Sequence, residues 1–208
     1  KAIFLANPNN PTGSIFYRKE LLEFIKSINK KTFIVLDAAY SEYIQDSRYS
    51  DGLEFVKKYN NIIVTKSFSK IFGLGGLRVG WGYAHINIIK KLYQVKKPFN
   101  VNRLASEAAI ESLKSTSWLK KQSKLNQKNK NFFIKGLNNT KFEIIDTLAN
   151  FILIRCRSEK MTNQFSLFAK KHKITLRVLS SYGLKNYIRV TIGTAEEMQI
   201  AMKVFNKF

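Results

Sequence analysis

The sequence is poor in the residues that staple, anchor or metallate a chain. One cysteine, Cys156, stands in 208 residues, so a disulfide framework within the chain is excluded and the solitary thiol fits a reducing compartment. Two histidines, His85 and His172, lie far apart without partners at ligand spacing, so no metal site is expected. Apolar runs fall far short of the ~20 residues needed to cross a bilayer, and no membrane role is expected. Acidic residues are scarce too, 14 against 36 basic ones, for a formal net charge of +22.

Such an excess of positive charge suits a nucleic-acid partner. Its distribution argues otherwise. Lysines number 28 and arginines 8, and the lysines accompany asparagine and isoleucine along the whole chain, as a general drift in composition would place them. Lys120, Lys124 and Lys128 fall four apart and line one side of a helix, where a solvated face explains them at least as well as a groove contact. A basic nucleic-acid-binding module is therefore only a remote alternative.

What the chain has in quantity is core material. Hydrophobic residues make up 45% and aromatics 13%, enough for one sizeable domain or two small ones. The chain opens on Lys1 and enters a strand-like run at once, which reads as the later portion of a longer protein; any signal segment would lie in the earlier part.

Hydrophobic periodicity predicts strands at 2–6, 32–37, 62–66 and 77–83, with helices at 18–29, 53–59 and 86–95 and a break at Pro98. This alternation is that of an α/β domain with a mostly parallel sheet covered by helices, in three layers. Long helical patterns over 101–137 are expected to connect it to a smaller α/β domain. That second domain would hold strands at 141–146, 151–155, 175–178 and 187–192, a helix at 161–172 and a closing helix at 195–208. The expected division is 1–100, 101–137 and 138–208.

Sheets of this kind bind ligands beyond the carboxyl ends of their strands. Three unusual stretches follow strands and so share one rim. The first, Asn7-Pro-Asn-Asn-Pro-Thr-Gly13, is a tight loop by composition. The second is Asp37 with Tyr40. The third, Ser67-Phe-Ser-Lys70, runs into glycines and reaches Arg78. It is not the phosphate loop of nucleotide hydrolases, since no Gly-Lys-Ser/Thr follows a spaced glycine. Hydroxyls, close backbone N–H groups and a guanidinium nonetheless suit an anion. Lys70 would stand beside a bound phosphate, and a lysine amine without its proton attacks carbonyls to form a Schiff base.

Together with Tyr187-Ile-Arg-Val-Thr-Ile-Gly193, these stretches resemble the pyridoxal-phosphate aminotransferases of the aspartate-aminotransferase fold (fold type I), and among them the histidinol-phosphate aminotransferases. The resemblance runs along the whole chain. It implies pyridoxal 5′-phosphate as cofactor, with Lys70 as catalytic residue, both its covalent anchor and the proton shuttle. It implies that Asp37 pairs with the ring nitrogen, that Tyr40 and Asn10 bond the ring oxygen, and that Ser67, Ser69 and Arg78 hold the 5′-phosphate. Arg189 matches the arginine that binds the substrate α-carboxylate. Arg177 matches a further arginine suited to the substrate's own phosphate, and Asn150, before Phe151, matches a position near the substrate entrance.

The implied reaction is transamination between glutamate and imidazole acetol phosphate, in histidine biosynthesis, by a cytoplasmic homodimer with a shared site. Alternatives within the same chemistry are an aromatic-amino-acid transaminase and a phosphoamino-acid decarboxylase of the threonine-phosphate type. Ala38 departs from the glutamate that many relatives place after the aspartate.

Overall fold

The computed structural model describes residues 1–208, and these divide into two units. The first comprises 1–9 and 14–123, the second 10–13 and 124–208.

In the first unit, strands β1 (Ala2–Ala6), β2 (Phe33–Asp37), β3 (Ile62–Ser67) and β4 (Gly80–Ala84) form one sheet in sequence order. The first three run parallel and β4 is antiparallel to β3. The parallel pairs are joined by helices α1 (Arg18–Ser27) and α2 (Leu53–Val56), as crossovers between parallel strands require. Alternate positions Ile34, Leu36, Ile62 and Val64, each 0–1% exposed, pack with Leu21 and Ile25 of α1 and Phe55 and Val56 of α2. Each such side chain contributes about 1.5–3 kcal/mol when fully buried. The register aligns Ala6 with Asp37 and Asp37 with Thr65, so β1 and β2 end together while β3 continues to Ser67.

Two elements differ from their predicted bounds here. The strand expected at 77–83 begins only at Gly80, because Arg78 takes a left-handed conformation (φ 53°) after a 3-10 turn at Gly75–Leu77. The helix expected over 53–59 ends at Val56. Beyond α3 (Ile86–Val95), the pattern over 101–137 breaks at Ser115 into α4 (Arg103–Lys114) and α5 (Thr116–Gly136). Asn102 caps α4, its side-chain oxygen accepting the Ala105 N–H at 2.8 Å. Ala105 and Ala109 are buried against Phe68, Ile71, Phe72 and Val79, while Leu113 is exposed. The two units part within α5, between Ser123 and Lys124.

The second unit is built on an antiparallel sheet in the order β5 (Glu143–Ile145), β6 (Phe151–Arg155), β8 (Leu184–Thr191), β7 (Arg177–Leu179). Its core face presents Ile152, Ile154, Ile188 and Val190 to Phe165 of α6 (Glu159–Lys171) and to Met198, Ala201 and Phe205 of α7 (Ala195–Lys207). Phe142, Phe165 and Phe205 make mutual ring contacts at 4.5–5.2 Å. Cys156 is buried here, and burial pushes its thiol pKa up. Thr194 and Glu197 close a reciprocal cap at the start of α7, with N–H donors at 2.7 and 3.2 Å.

Candidate active site

At the carboxyl rim of the first sheet, β1 runs into Asn7, β2 ends on Asp37 and β3 ends on Ser67. Asn7 is buried and pins its loop by exchanging hydrogen bonds with the Phe16 backbone at 3.0 and 2.8 Å. Its own carbonyl accepts the Tyr49 hydroxyl at 2.6 Å. Asp37 is exposed, and one carboxylate oxygen accepts the Ala39 N–H at 3.1 Å, which holds the carboxylate at the rim. Three residues after Asp37, Tyr40 is buried, and the Lys70 ammonium lies 5.0 Å from the centre of its ring.

The turn after β3 is tightened from within. The Ser69 N–H donates to Ser67 Oγ at 3.0 Å, and Arg78 donates to Ser69 Oγ at 3.2 Å and to the Gly75 carbonyl at 2.9 Å. Both hydroxyls and the guanidinium are thereby gathered into one polar cup, with Lys70 next in the chain. Its left-handed backbone turns the Arg78 side chain back over the Gly75 turn.

In the second unit, Arg189 on β8 donates to Asn10 Oδ1 at 2.5 Å. Its guanidinium carbon lies 5.2 Å from the centre of the Phe151 ring. Arg189 Nε is buried and has no hydrogen-bond partner. Arg177 on β7 is the direct cross-strand partner of Arg189, so the two side chains share a sheet face. Both line a cavity of about 670 Å³ with Thr191, Gly193 and Glu197 among its walls. Asn150 is half-buried, and its carbonyl accepts the Ile192 N–H; the neighbour that supports Arg189 is Phe151.

The segment 10–13 is held by its fit to this unit. Gly13 adopts φ +74°, and a Cβ there would lie 2.1 Å from Thr147 Cγ2. Thr147 in turn accepts through its carbonyl from the buried Lys130 ammonium, which also meets Asp146 at 2.8 Å.

One group in the first unit escaped the sequence reading. Lys66 follows Ile62 and Val64 on the core-facing side of β3, yet its ammonium is satisfied by Ser41, Glu42 and Asp51. The available signal was a lysine in phase with buried apolar residues on a strand.

A model of the aminotransferase class I and II family matches residues 1–205. The chain belongs to this family. Histidinol-phosphate aminotransferase of Granulibacter bethesdensis is 36% identical over 208 residues, which are 100% of this chain and 56% of that protein. The chain thus spans about half the length of the curated relatives it matches. The crystal structure of histidinol-phosphate aminotransferase from Clostridium acetobutylicum superposes with a TM-score of 0.90 at 25% identity, over 99% of this chain and 63% of that one. The structure of histidinol-phosphate aminotransferase from Sinorhizobium meliloti in complex with pyridoxal-5′-phosphate gives a TM-score of 0.91 at 22% identity, over 99% and 57%. The fold is that of the pyridoxal-phosphate-dependent aminotransferases.

Proposed function

We propose that this chain carries residues for a pyridoxal-phosphate-dependent transamination between glutamate and imidazole acetol phosphate. The observation that carries this reading is the Arg177–Arg189 pair. Like charges directly opposed on a sheet are unfavourable unless something anionic sits with them, and Arg189 keeps a buried N–H without a partner. A carboxylate attached directly to the reacting carbon is matched by one guanidinium fork. Imidazole acetol phosphate has no carboxylate. It carries a phosphorylated hydroxymethyl group in that place, with a charge of about −2 and two atoms more of reach. A second arginine on the adjoining strand suits that longer, more highly charged group.

The donor types named for the cofactor suit it chemically. Asp37 would hold a proton at the ring nitrogen, Tyr40 and Asn10 would donate to the ring oxygen, and Ser67, Ser69 and Arg78 would anchor the phosphate while the substituents change. Asn10 retains its amide N–H donors for this task, because its carbonyl oxygen is taken by Arg189. When bound, pyridoxal phosphate supplies the electron sink for charge developing at the substrate carbon. Lys70 would bond its aldehyde carbon and, once displaced by substrate, move the proton at the substrate carbon as general base and acid.

A cytoplasmic homodimer with small-molecule substrates and no nucleic-acid partner completes the proposal. No helix is long and apolar enough to cross a membrane.

The test is a comparison of acceptors after amination of the cofactor by glutamate. A large preference in kcat/KM for imidazole acetol phosphate over phenylpyruvate supports the reading. The reverse preference assigns an aromatic transaminase, and failure of glutamate to aminate the cofactor moves the phosphoamino-acid decarboxylase to the front.

A further inference from the structure

Lys66 is the only lysine on the core-facing row of β3. Ile62 and Val64 precede it at alternate positions with 0% exposure, and its own side chain is 9% exposed. Its ammonium donates to Ser41 Oγ at 2.7 Å and Glu42 Oε1 at 2.9 Å, and meets Asp51 Oδ2 at 2.6 Å. Trp81, its register partner on β4, brings an indole ring to within 6.0 Å of the same ammonium. Gly80 permits this approach of β4, since a Cβ there would lie 2.6 Å from the Lys66 carbonyl oxygen. One cation therefore serves two carboxylates and a hydroxyl in a poorly solvated place, the arrangement in which removing one member costs most.

The partners lie beside a residue of the candidate site. Ser41 and Glu42 open the 3-10 turn Ser41–Tyr43, and Tyr40 caps it, its carbonyl accepting the Tyr43 N–H at 3.1 Å. A side chain follows the backbone that carries it, so a tie to residues 41 and 42 also sets where the Tyr40 ring points. That ring stands 5.0 Å from the Lys70 ammonium. Lys66 and Lys70 thus meet the same short segment, one through the turn after Tyr40 and the other at its ring.

We propose that Lys66 is a positioning residue that fixes Tyr40 against Lys70 by clamping Ser41, Glu42 and Asp51 to β3. The proposal rests on the reading of Tyr40 as a donor to the cofactor ring, and its test separates the two.

The experiment is a double-mutant cycle on protein loaded with pyridoxal phosphate, reading the pH midpoint of the visible absorption band of the lysine-bound cofactor in the parent, Lys66→Met, Tyr40→Phe and the double variant. Lys66→Arg, which keeps the cation, provides the rescue. Amide hydrogen exchange at Ser41, Tyr43 and Ile44 is followed in cofactor-free protein. Lys66→Met is expected to speed exchange at these amides by about tenfold or more. It should also move the midpoint in the same direction as Tyr40→Phe and add nothing further in the Tyr40→Phe background. Lys66→Arg should restore both readouts.

A Lys66→Met shift that persists in full without the Tyr40 hydroxyl overturns the proposal, as does an unmoved midpoint in Lys66→Met. A silent Tyr40→Phe defeats the underlying reading of Tyr40, and the positioning role with it; the two failures are told apart by which variant is silent. If Lys66→Met does not fold, the neutral triple variant Lys66→Met/Glu42→Gln/Asp51→Asn removes the charges together and goes through the same cycle.

Discussion

Arg177 and Arg189 are directly opposed across β7 and β8, and neither is paired with a carboxylate. Two guanidinium groups side by side on one sheet face, one of them with a buried unpartnered N–H, are held there by the strand register and not by mutual attraction. Their placement has a direct consequence for substrate choice. Arg177→Ala is expected to weaken use of the phosphorylated acceptor by about 2–5 kcal/mol in kcat/KM, with little effect on amination by glutamate. Steady-state kinetics on both half-reactions decide it, and equal losses would make Arg177 a structural residue.

Lys70→Ala is expected to abolish turnover while leaving the fold in place, because Lys70 is only half-buried in a surface turn. Borohydride reduction followed by peptide mass analysis checks the assignment directly: the reduced cofactor should be found on Lys70 and on no other lysine.

Gly13→Ala is expected to destabilise the protein by about 2–4 kcal/mol, from a left-handed backbone and from collision with Thr147. Thr147→Gly removes both colliding atoms, Cγ2 at 2.1 Å and Cβ at 2.3 Å. Thermal melts of the two single variants and the double should show that Gly13→Ala costs less in the Thr147→Gly background, by the share of the penalty that is steric.

The Tyr49 phenol is held well above its ordinary pKa by burial first, with the Asp51, Glu42 and Asp37 carboxylates adding to the effect. The unfolded phenol ionises near about pH 10. Above that pH the unfolded state binds fewer protons than the folded one, so the stability contributed below it is lost as pH rises. Tyr49→Phe also removes the hydrogen bond to the Asn7 carbonyl, about 0.5–1.5 kcal/mol at neutral pH. Denaturant melts from pH 8 to about pH 11 should show a lower plateau for Tyr49→Phe and a shallower alkaline decline.

Much of this protein is readable from its chain because periodicity is a local property. Phe151–Arg155 and Ile86–Val95 have the bounds that apolar spacing predicts, and the strand ending at Asp37 and the turn entered at Ser67 announce the rim. The four motif stretches identify the family, since side-chain chemistry at fixed separations is carried by sequence alone. Other features depend on contacts between residues far apart in the chain. Strand 77–83 is shortened by the left-handed Arg78, whose guanidinium folds back on Gly75 and Ser69. Lys66 looks like any surface lysine until Glu42 and Asp51 are seen to close around it. Arg177 and Arg189 become partners only through the antiparallel register of β7 and β8. Residue types and their spacing determined which chemistry the chain carries; which charges face one another was decided by tertiary structure, because strand register and burial set distances that the sequence does not encode locally.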